Sequence, residues 1–394
     1  MIVAAPLRRV ALVAVLAGIS PATLPARQFE EVARAVQAGI REGIYPGAAV
    51  VIGRRDTVLY SRGFGRLTWS ADAPAASPDS TLWDLASLTK VVATASIALA
   101  LHDRGRLDLD AAVAEFLPRF SGGGRERVTL RMLLDHTSGL PAFAPLYRNA
   151  RTREDAVEQL WGVALRRRPG EATEYSDLNA ILLGLVLERV GRQSLDQLAR
   201  QEVFEPLGMW QTRFAPPASL RARIAPSMRD GRGPIAGRPS DPNAMAMGGI
   251  AGHAGVFGTA ADLARFAQAW LRQGLLSDGR RWVSAEAMAG FVARTPGGAG
   301  RMLGWDVPNP GPLDRTTSFG ALASGATYGH TGWTGTSLWV DPAGDLFVVL
   351  LTNRSYDPRV RQSLVAIRDV RHQVSDAART SVLAQCRVVV QVRC

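Results

Sequence analysis

Lysine is almost absent from this chain of 394 residues, because Lys90 is the single lysine among 46 Lys and Arg side chains. Arginine does not lose its proton in a protein, whereas a desolvated lysine can. A position that needs only positive charge could be arginine, as every other basic position in this chain is. Lys90 is therefore a candidate for a task that a permanent cation cannot perform, such as acting as a base.

Cysteine and histidine are also scarce. The two cysteines, Cys386 and Cys394, lie in the last few residues and cannot cross-link the body of the fold. In an oxidising compartment they could close a small tail loop or pair between chains, but they have neither metal-ligand nor nucleophile context. The five histidines never approach the His-Glu-x-x-His spacing of a zinc hydrolase. We expect neither a metal nor a cofactor.

Two further absences restrict the function. The chain lacks a Gly-x-Ser-x-Gly sequence, which disfavours an α/β-hydrolase. The formal net charge is +11, but the arginines are scattered and form no basic stripe with interleaved aromatic side chains. Such a stripe is the usual footprint of a nucleic-acid-binding protein. We therefore expect a small-molecule or peptide substrate and no nucleic-acid partner.

The N-terminus carries a short apolar run. Arg8 and Arg9 precede apolar residues 10–19, and small residues follow at 20–22. This layout is that of a secretory signal peptide, and the run is too short to cross a hydrocarbon core of about 30 Å. We assign residues 1–26 to a signal peptide and expect an exported, periplasmic or secreted protein with no stable membrane span. An uncleaved amphiphilic arm is the alternative.

Hydrophobic periodicity predicts the main elements of the mature chain. Apolar residues at helical spacing predict a helix over 29–40. Strands at 48–52 and 57–60 flank a tight connection and predict a hairpin. A second hairpin joins 337–340 to 346–352 through a Pro- and Gly-containing turn.

Helical patterns dominate from about residue 100 to about 240. We expect one catalytic domain over 27–375 that contains this mainly helical subdomain. Asp357 followed by Pro358 predicts the start of a final helix. The remaining residues, 376–394, are interpreted as a C-terminal tail whose last part is a loose segment or an edge strand.

The stretch Ser87-Leu88-Thr89-Lys90 places a hydroxyl and an amine three residues apart. On a helix, positions i and i+3 lie on one face, so the two groups could share a hydrogen bond, as in a base-activated nucleophile. The helix that follows is apolar on nearly all sides, which predicts burial. Burial is expected to lower the pKa of Lys90, and the start of the helix should favour a developing alkoxide on Ser87. The alternative is a surface lysine that opens a helix.

A second polar stretch, Tyr175-Ser176-Asp177, precedes a clear amphipathic helix. Asp177 is a natural N-cap, so Tyr175 would lie on the loop before the helix and could project into a cleft. The alternative is a tyrosine that only covers the helix end. His136 lies in a turn with Gly and Pro and is interpreted as a turn or packing residue.

A third stretch, His330-Thr331-Gly332, leads into the second predicted hairpin. The order Ser-x-x-Lys, Tyr-x-Asp, His-Thr-Gly resembles the serine penicillin-recognising hydrolases, which include class C β-lactamases, serine D,D-carboxypeptidases and related esterases. The resemblance covers residues 30–370. It implies an α/β fold of the β-lactamase/transpeptidase type, in which helices flank an antiparallel sheet beside a mainly helical subdomain.

The resemblance also implies roles for single residues. Ser87 would be the nucleophile that accepts the acyl group, while Lys90 and Tyr175 share the proton transfers. The backbone N–H groups of Ser87 and Trp333 would form the oxyanion hole. Cationic neighbours would help Tyr175 toward its phenolate form.

The implied substrate-binding residues are Asp177, His330, Thr331 and Gly332. β-Lactamases and peptidases of the family usually have Asn where this chain has Asp177, which weakens the β-lactamase interpretation most. His330 in place of the usual lysine resembles secreted D,D-carboxypeptidases and D-aminopeptidases.

Our first hypothesis is an exported serine hydrolase that forms an acyl-enzyme on Ser87 and acts on D-Ala-D-Ala-type peptides, including cell-wall peptide. A carboxylesterase of the same fold and a β-lactamase are the second and third. A non-catalytic penicillin-binding scaffold is the alternative from a different class.

Overall fold

The computed structural model describes residues 28–294, 301–308 and 318–388. The assigned signal peptide and Cys394 lie outside these residues. The described residues contain ten strands, which are β1 (Gly47–Gly53), β2 (Val58–Gly65), β3 (Trp83–Asp84), β4 (Arg213–Phe214), β5 (Met228–Asp230), β6 (Gly233–Ile235), β7 (Val256–Gly258), β8 (Tyr328–Thr331), β9 (Ser337–Asp341) and β10 (Leu346–Thr352).

The same residues contain eleven α-helices, which are α1 (Glu30–Arg41), α2 (Ser96–Asp103), α3 (Val113–Phe116), α4 (Leu130–Leu134), α5 (Arg153–Trp161), α6 (Asp177–Gly191), α7 (Leu195–Ala199), α8 (Pro242–Ala246), α9 (Ala260–Leu271), α10 (Ala285–Phe291) and α11 (Ser363–Val388). Shorter helical turns of other types are 3-10 at Ala86–Leu88, Arg125–Arg127 and Ala218–Arg223, and π at Lys90–Ala95 and Arg200–Phe204.

Five strands form one antiparallel sheet in the order β2-β1-β10-β9-β8. Every residue of β1 and β10 is buried, so the centre of the sheet is covered on both faces. Side chains alternate between faces along a strand. Accordingly, Val50 and Ile52 pack with α1 and α11, whereas Ala49 and Val51 pack with the larger core that includes α9. The predicted antiparallel sheet flanked by helices is confirmed.

Both predicted hairpins are present. β1 pairs with β2, and β9 pairs with β10. The predicted first helix corresponds to α1, whose buried side chains include Val32 and Val36. Helices α2 to α7 all lie between residues 96 and 199, in the region predicted to be mainly helical.

The C-terminal part differs from the prediction in two ways. The final helix begins at Ser363 and not at Pro358, because Asp357 adopts a left-handed φ of +46° that turns the chain before the helix. The helix then continues to Val388, so the predicted loose segment or edge strand is wrong over the described part of the tail. Buried Val374, Ala378 and Val382 explain its persistence, because they pack in the same core as α1.

Candidate active site

Ser87 lies where the chain leaves β3 and enters a helical segment of mixed type. A 3-10 turn at 86–88 is followed by a π-helical stretch at 90–95 and then by α2. The sequence predicted a single helix here, whereas the structure has three helical segments of different type. The wider turn has a local cause, because the Ser96 hydroxyl donates to the carbonyl of Val91 at 2.7 Å. π-Helical turns are rare and often mark functional sites.

Ala86, the residue before Ser87, has a φ of +48°. This left-handed conformation is costly for a residue with a Cβ and persists only where the surrounding structure fixes it. Asp84 contributes to that fixation, because its buried carboxylate accepts from the N–H of Ala86 at 3.0 Å. The half-buried Ser87 is thereby presented on a constrained turn.

The predicted pairing of Ser87 with Lys90 is present in the structure. Lys90 Nζ donates to Ser87 Oγ at 2.9 Å and to the carbonyl of His253 at 3.2 Å. The ammonium also forms an ion pair with Asp177 Oδ1 at 2.7 Å and lies 5.0 Å from the centroid of the Tyr175 ring. Only 4% of Lys90 is exposed, so the alternative of a surface lysine is wrong.

The expected direction of the Lys90 pKa shift is wrong. Burial does act to lower the pKa of Lys90, but the negative charge of Asp177 and the contact with Tyr175 outweigh it and raise that pKa above its ordinary value. The sequence-based expectation considered burial alone. In the resting site, Lys90 is therefore an ammonium, and it must lose a proton before it can act as a base.

Tyr175 lies on the loop directly before α6, as predicted. The N-cap of this helix is Ser176 and not Asp177, because the Ser176 side chain accepts from the N–H of Leu178. Asp177 is thus the first helical residue and is free to pair with Lys90. The Tyr175 ring lies over Lys90 Nζ, and its side chain shares the cleft with Ser87.

Burial raises the pKa of Tyr175, and its cationic neighbour Lys90 only partly offsets this effect. The expectation of a phenolate favoured by cations is therefore wrong for the resting site, where Tyr175 is protonated. Arg301 also lies over the Tyr175 ring, with 5.3 Å between the guanidinium carbon and the ring centroid.

His136 holds the tyrosine loop from both sides. Its backbone carbonyl accepts from the N–H of Glu174 at 2.9 Å, and its Nδ1 accepts from the N–H of Ser176 at 3.0 Å. The ring centroids of His136 and Tyr175 are 4.8 Å apart. Burial lowers the pKa of His136 well below its usual value, so the ring is neutral. His136 is a turn residue with φ of +62°, in agreement with the prediction.

His330 lies on β8 at the opposite side of Tyr175, with ring centroids 5.9 Å apart. Its Nδ1 is 2.8 Å from the carbonyl of Thr331, which requires the proton on Nδ1 and leaves Nε2 as an acceptor. Nε2 is buried and has no hydrogen-bond partner within the described ranges. Burial lowers the pKa of His330 to about 4, so its imidazole is neutral.

The segment after β8 is tied to the segment before Ser87. Thr334 Oγ1 donates to the carbonyl of Asp84 at 2.7 Å, and Thr336 Oγ1 donates to that of Leu85 at 3.1 Å. At Gly332, a Cβ would lie 2.6 Å from the Leu85 carbonyl oxygen, so this close approach needs glycine. The peptide group between Gly332 and Trp333 therefore stands beside the turn that carries Ser87.

The predicted site residues meet at one cleft of about 430 Å³. The structure brings together all the predicted site residues there, namely Ser87, Tyr175, Asp177, His330, Thr331, Gly332 and Trp333, with Lys90 directly beneath Ser87. Trp333 is 56% exposed and forms part of the rim. The roles assigned to these residues remain predictions.

Sequence reasoning missed several residues of the cleft. They are Asp241, Arg301, Asp306, Leu364, Arg368 and Arg371. Arg301 forms an ion pair with Asp306, and Asp241 contacts the buried His253 side chain at 2.7 Å. No sequence signal distinguished these arginines and aspartates from the many others, because their placement depends on distant segments.

A second cleft of about 510 Å³ lies around the exposed Trp210 and shares no lining residue with the first. The larger cleft is thus not the one that contains the nucleophile. Among the residues that the structure describes, no helix combines the length and the apolar character needed to cross a membrane.

Comparison with known proteins defines the class. The family model described as Beta-lactamase matches residues 32–371. A protein of Escherichia coli K12 named "Putative D-alanyl-D-alanine carboxypeptidase" is 31% identical in an alignment of 349 positions that covers 80% of this chain and 80% of the relative. A protein of the same name from Salmonella paratyphi B is 30% identical in an alignment of 315 positions that covers 72% of this chain and 72% of the relative.

Solved structures agree on the fold. A penicillin-binding protein homologue from Caulobacter crescentus has a TM-score of 0.70 at 22% identity and covers 89% of this chain and 97% of its own. EstCE1, a hydrolase with promiscuous acyltransferase activity, has a TM-score of 0.70 at 24% identity and covers 89% of this chain and 99% of its own.

The chain belongs to the Beta-lactamase family, whose fold it has from end to end of the matched region. Within that family it is a serine hydrolase.

Proposed function

We propose that the protein is an exported hydrolase that forms an acyl-enzyme on Ser87 and acts as a D,D-carboxypeptidase on D-Ala-D-Ala-type peptides. The observation that carries this proposal is the contact of Ser87 Oγ with Lys90 Nζ at 2.9 Å, with the Tyr175 ring beside Lys90. A hydroxyl held beside an amine that can take up its proton, once that amine has itself lost one, is the arrangement of an activated nucleophile.

Lys90, Tyr175 and Asp177 act as one coupled group in this mechanism. In the form of the site in which Lys90 has lost one proton, the Ser87 oxygen attacks the acyl carbon, and the hydroxyl proton passes to the Lys90 amine, directly or through the Tyr175 hydroxyl. The same group gives a proton to the departing amine as the carbon–nitrogen bond breaks. Water then attacks the ester on Ser87 with the same proton transfers in reverse.

The oxyanion of each tetrahedral intermediate would lie between the N–H groups of Ser87 and Trp333. Donors fixed in this way act on charge that develops in the transition state, and the loss of one typically costs about 10²- to 10³-fold in rate. The links of Thr334 to Asp84 and of Thr336 to Leu85 support this placement, because they hold the two N–H groups on adjacent segments.

The charge of the cleft favours a substrate with a carboxylate. Of the three aspartates that line the cleft, Asp177 and Asp306 are each paired with a cation, and Asp241 contacts the buried His253 side chain. Arg368 is exposed at the cleft wall, and the part of the chain that the structure describes offers it no ion-pair partner. A terminal carboxylate could bind this guanidinium through two hydrogen bonds. The curated relatives, whose names state a D-alanyl-D-alanine carboxypeptidase, support the same substrate.

Intact-mass analysis after incubation with benzylpenicillin tests the acyl-enzyme. We expect the wild-type protein to gain the mass of one penicilloyl group and the Ser87→Ala variant to gain none. D-Alanine release from an acyl-D-Ala-D-Ala peptide should fall below detection in the same variant. Thermal unfolding of both proteins shows whether the variant is folded.

Two other substrates separate the alternatives of the same fold. A short-chain nitrophenyl ester and a chromogenic cephalosporin are assayed beside the peptide. Ester turnover without D-alanine release would contradict the carboxypeptidase and favour a carboxylesterase, whereas fast cephalosporin turnover would favour a β-lactamase. A wild-type protein that neither forms an adduct nor turns over any substrate would contradict the acyl-enzyme.

A further inference from the structure

The loop that follows β8 has all of its carbonyl groups occupied. Each of the five carbonyl oxygens from Gly332 to Thr336 accepts at least one hydrogen bond. Two guanidinium groups supply most of these donors, and both come from outside the loop. Arg354 follows β10 and Arg371 lies on α11; they are 3% and 6% exposed.

Arg371 binds three of these carbonyls at once. Its Nη2 donates to the carbonyls of Gly332 at 2.8 Å and Thr336 at 3.0 Å, and its Nε is 3.3 Å from that of Gly335. The planar guanidinium offers donors in a fixed fork, so three simultaneous contacts define the position of the loop closely.

Arg354 holds the next peptide group. Both its Nε, at 2.9 Å, and its Nη2 donate to the carbonyl of Trp333, and its Nη1 donates to Ser363 Oγ at 2.8 Å. The guanidinium carbon lies 4.8 Å from the centroid of the Trp333 ring. Arg371 therefore binds the peptide group between residues 332 and 333, and Arg354 binds the next one, between residues 333 and 334.

Because the peptide group is planar, the contact of Arg371 with the Gly332 carbonyl also fixes the direction of the Trp333 N–H, the proposed oxyanion donor. The carbonyl of Gly332 and the N–H of Trp333 belong to one peptide plane, and the structure contains no cis peptide bond within its described ranges. In a trans peptide, C=O and N–H point in opposite directions. When Arg371 draws the Gly332 carbonyl to its side, the Trp333 N–H must point away from Arg371.

We propose that Arg371 is the positioning residue of the oxyanion hole, which fixes the Trp333 N–H by binding the carbonyl at the other end of the same peptide group. This inference rests on the proposed acyl-enzyme mechanism. Arg354 fixes the peptide plane after it, so its influence on the Trp333 N–H is indirect.

The charge of Arg371 adds to this geometry. Within the described residues, Arg371 donates to carbonyl oxygens and forms no ion pair with a carboxylate that would neutralise it. Burial, together with the nearby charges of Arg354 and Arg368, lowers its pKa to about 9. The guanidinium thus remains charged at neutral pH, and a hydrogen bond from a cation to a carbonyl polarises the N–H on the other side of the peptide.

The Arg371→Lys variant tests the proposal because lysine keeps the charge but lacks the planar fork. We expect kcat for peptide or ester turnover to fall about 10²-fold with KM nearly unchanged, since a misplacement of 1 Å in a site can have that effect. The affinity for a boronic acid that forms a tetrahedral adduct on Ser87 should fall by the same factor. Arg354→Lys should lose only a few-fold, because it acts on the neighbouring plane.

Arg361→Lys, a change at an exposed position, is the matched control and should behave as wild type. Equal kcat and boronic acid affinity in wild type and Arg371→Lys would overturn the proposal, and so would a loss confined to KM. Thermal unfolding confirms that each variant is folded.

A second measurement separates this proposal from the acyl-enzyme mechanism. Amide hydrogen exchange of the 332–336 segment should become faster in Arg371→Lys and not in Arg361→Lys, whether or not the protein turns over a substrate. A wild-type protein that forms no adduct on Ser87 would contradict the proposed function. Unchanged amide exchange in Arg371→Lys would separately show that the guanidinium does not fix the loop.

Discussion

The two halves of the candidate catalytic cleft are built in different ways. The half to which we assign proton transfer consists of side chains, because Lys90 joins Ser87 through a hydrogen bond and Asp177 through an ion pair, with Tyr175 beside them. The half that we propose as the oxyanion hole contains backbone groups between 332 and 336, which are held through their carbonyls by buried guanidinium groups.

The halves should therefore fail in different ways. Removal of a charge in the proton-transfer half changes which protons are bound, and its effect should vary with pH. A change in the oxyanion half alters the direction of an N–H group and should be nearly independent of pH below the pKa of the arginines. Variants of each half can test this difference.

Lys90→Arg should have the largest effect in the proton-transfer half. Arginine can keep the positive charge beside Asp177, but it cannot give up its proton. We expect kcat/KM to fall about 10³-fold, within the range that general bases contribute, while the thermal midpoint changes little. Steady-state turnover and thermal unfolding measure the two quantities.

A Lys90→Arg variant that retained more than a tenth of the wild-type kcat/KM would contradict the role of Lys90 in proton transfer. It would leave Tyr175 as the remaining acceptor. Arg361→Lys serves as the control, because it replaces arginine by lysine at an exposed position.

The proton-transfer half was largely predictable because its signals are local. Ser87 and Lys90 are three residues apart, and a single turn of helix of any type brings them to one face. The place of Tyr175 before a helix was predicted from the sequence, whereas its role in proton transfer was implied by the resemblance to the family. The ion pair of Lys90 with Asp177 was missed because Ser176 and Asp177 are both favoured N-cap residues, and the sequence alone could not decide between them. With Asp177 placed as the cap, the pKa of Lys90 was expected to shift the wrong way.

The support of the oxyanion half was not predictable. Arg371 is one of many arginines, and its distinction arises from contacts with carbonyls 35 to 39 residues away in the chain. Backbone carbonyls carry no sequence signal, because every residue has one. The final helix also begins five residues later than predicted, with Ser363 in place of Pro358 as its first residue.

His136 variants should have an intermediate effect. His136→Leu removes the acceptor for the Ser176 N–H and places a bulky apolar side chain at a φ of +62°. We expect kcat to fall about tenfold or more as Tyr175 loses its fixed position. His136→Asn should retain most of the activity, because asparagine tolerates a left-handed φ and offers an acceptor oxygen.

The comparison of the two His136 variants distinguishes positioning from general destabilisation. Both are measured for kcat, KM and thermal midpoint. Equal losses of kcat in the two variants would contradict the role of the Nδ1 acceptor, because only His136→Leu removes it.

Asp177→Asn should have the smallest effect on the maximal rate and the clearest effect on pH dependence. Without the carboxylate, burial dominates and the pKa of Lys90 should fall below its wild-type value. The acid limb of the kcat/KM profile, which reports loss of the proton from the free enzyme's base, should then move to lower pH by about one unit or more, equivalent to ~1.4 kcal/mol.

The pH dependence of the stability of Asp177→Asn tests the direction of the Lys90 pKa shift independently of turnover. In the wild type, the raised pKa means that the pair stabilises the fold fully below the ordinary lysine pKa and loses this contribution as the pH rises through the folded value. In Asp177→Asn, a buried ammonium without its partner destabilises the fold until it loses its proton. The gap between the two thermal midpoints should therefore narrow as the pH rises into the alkaline range. A gap that widens with pH, or an acid limb that does not move, would show that Asp177 does not set the charge of Lys90.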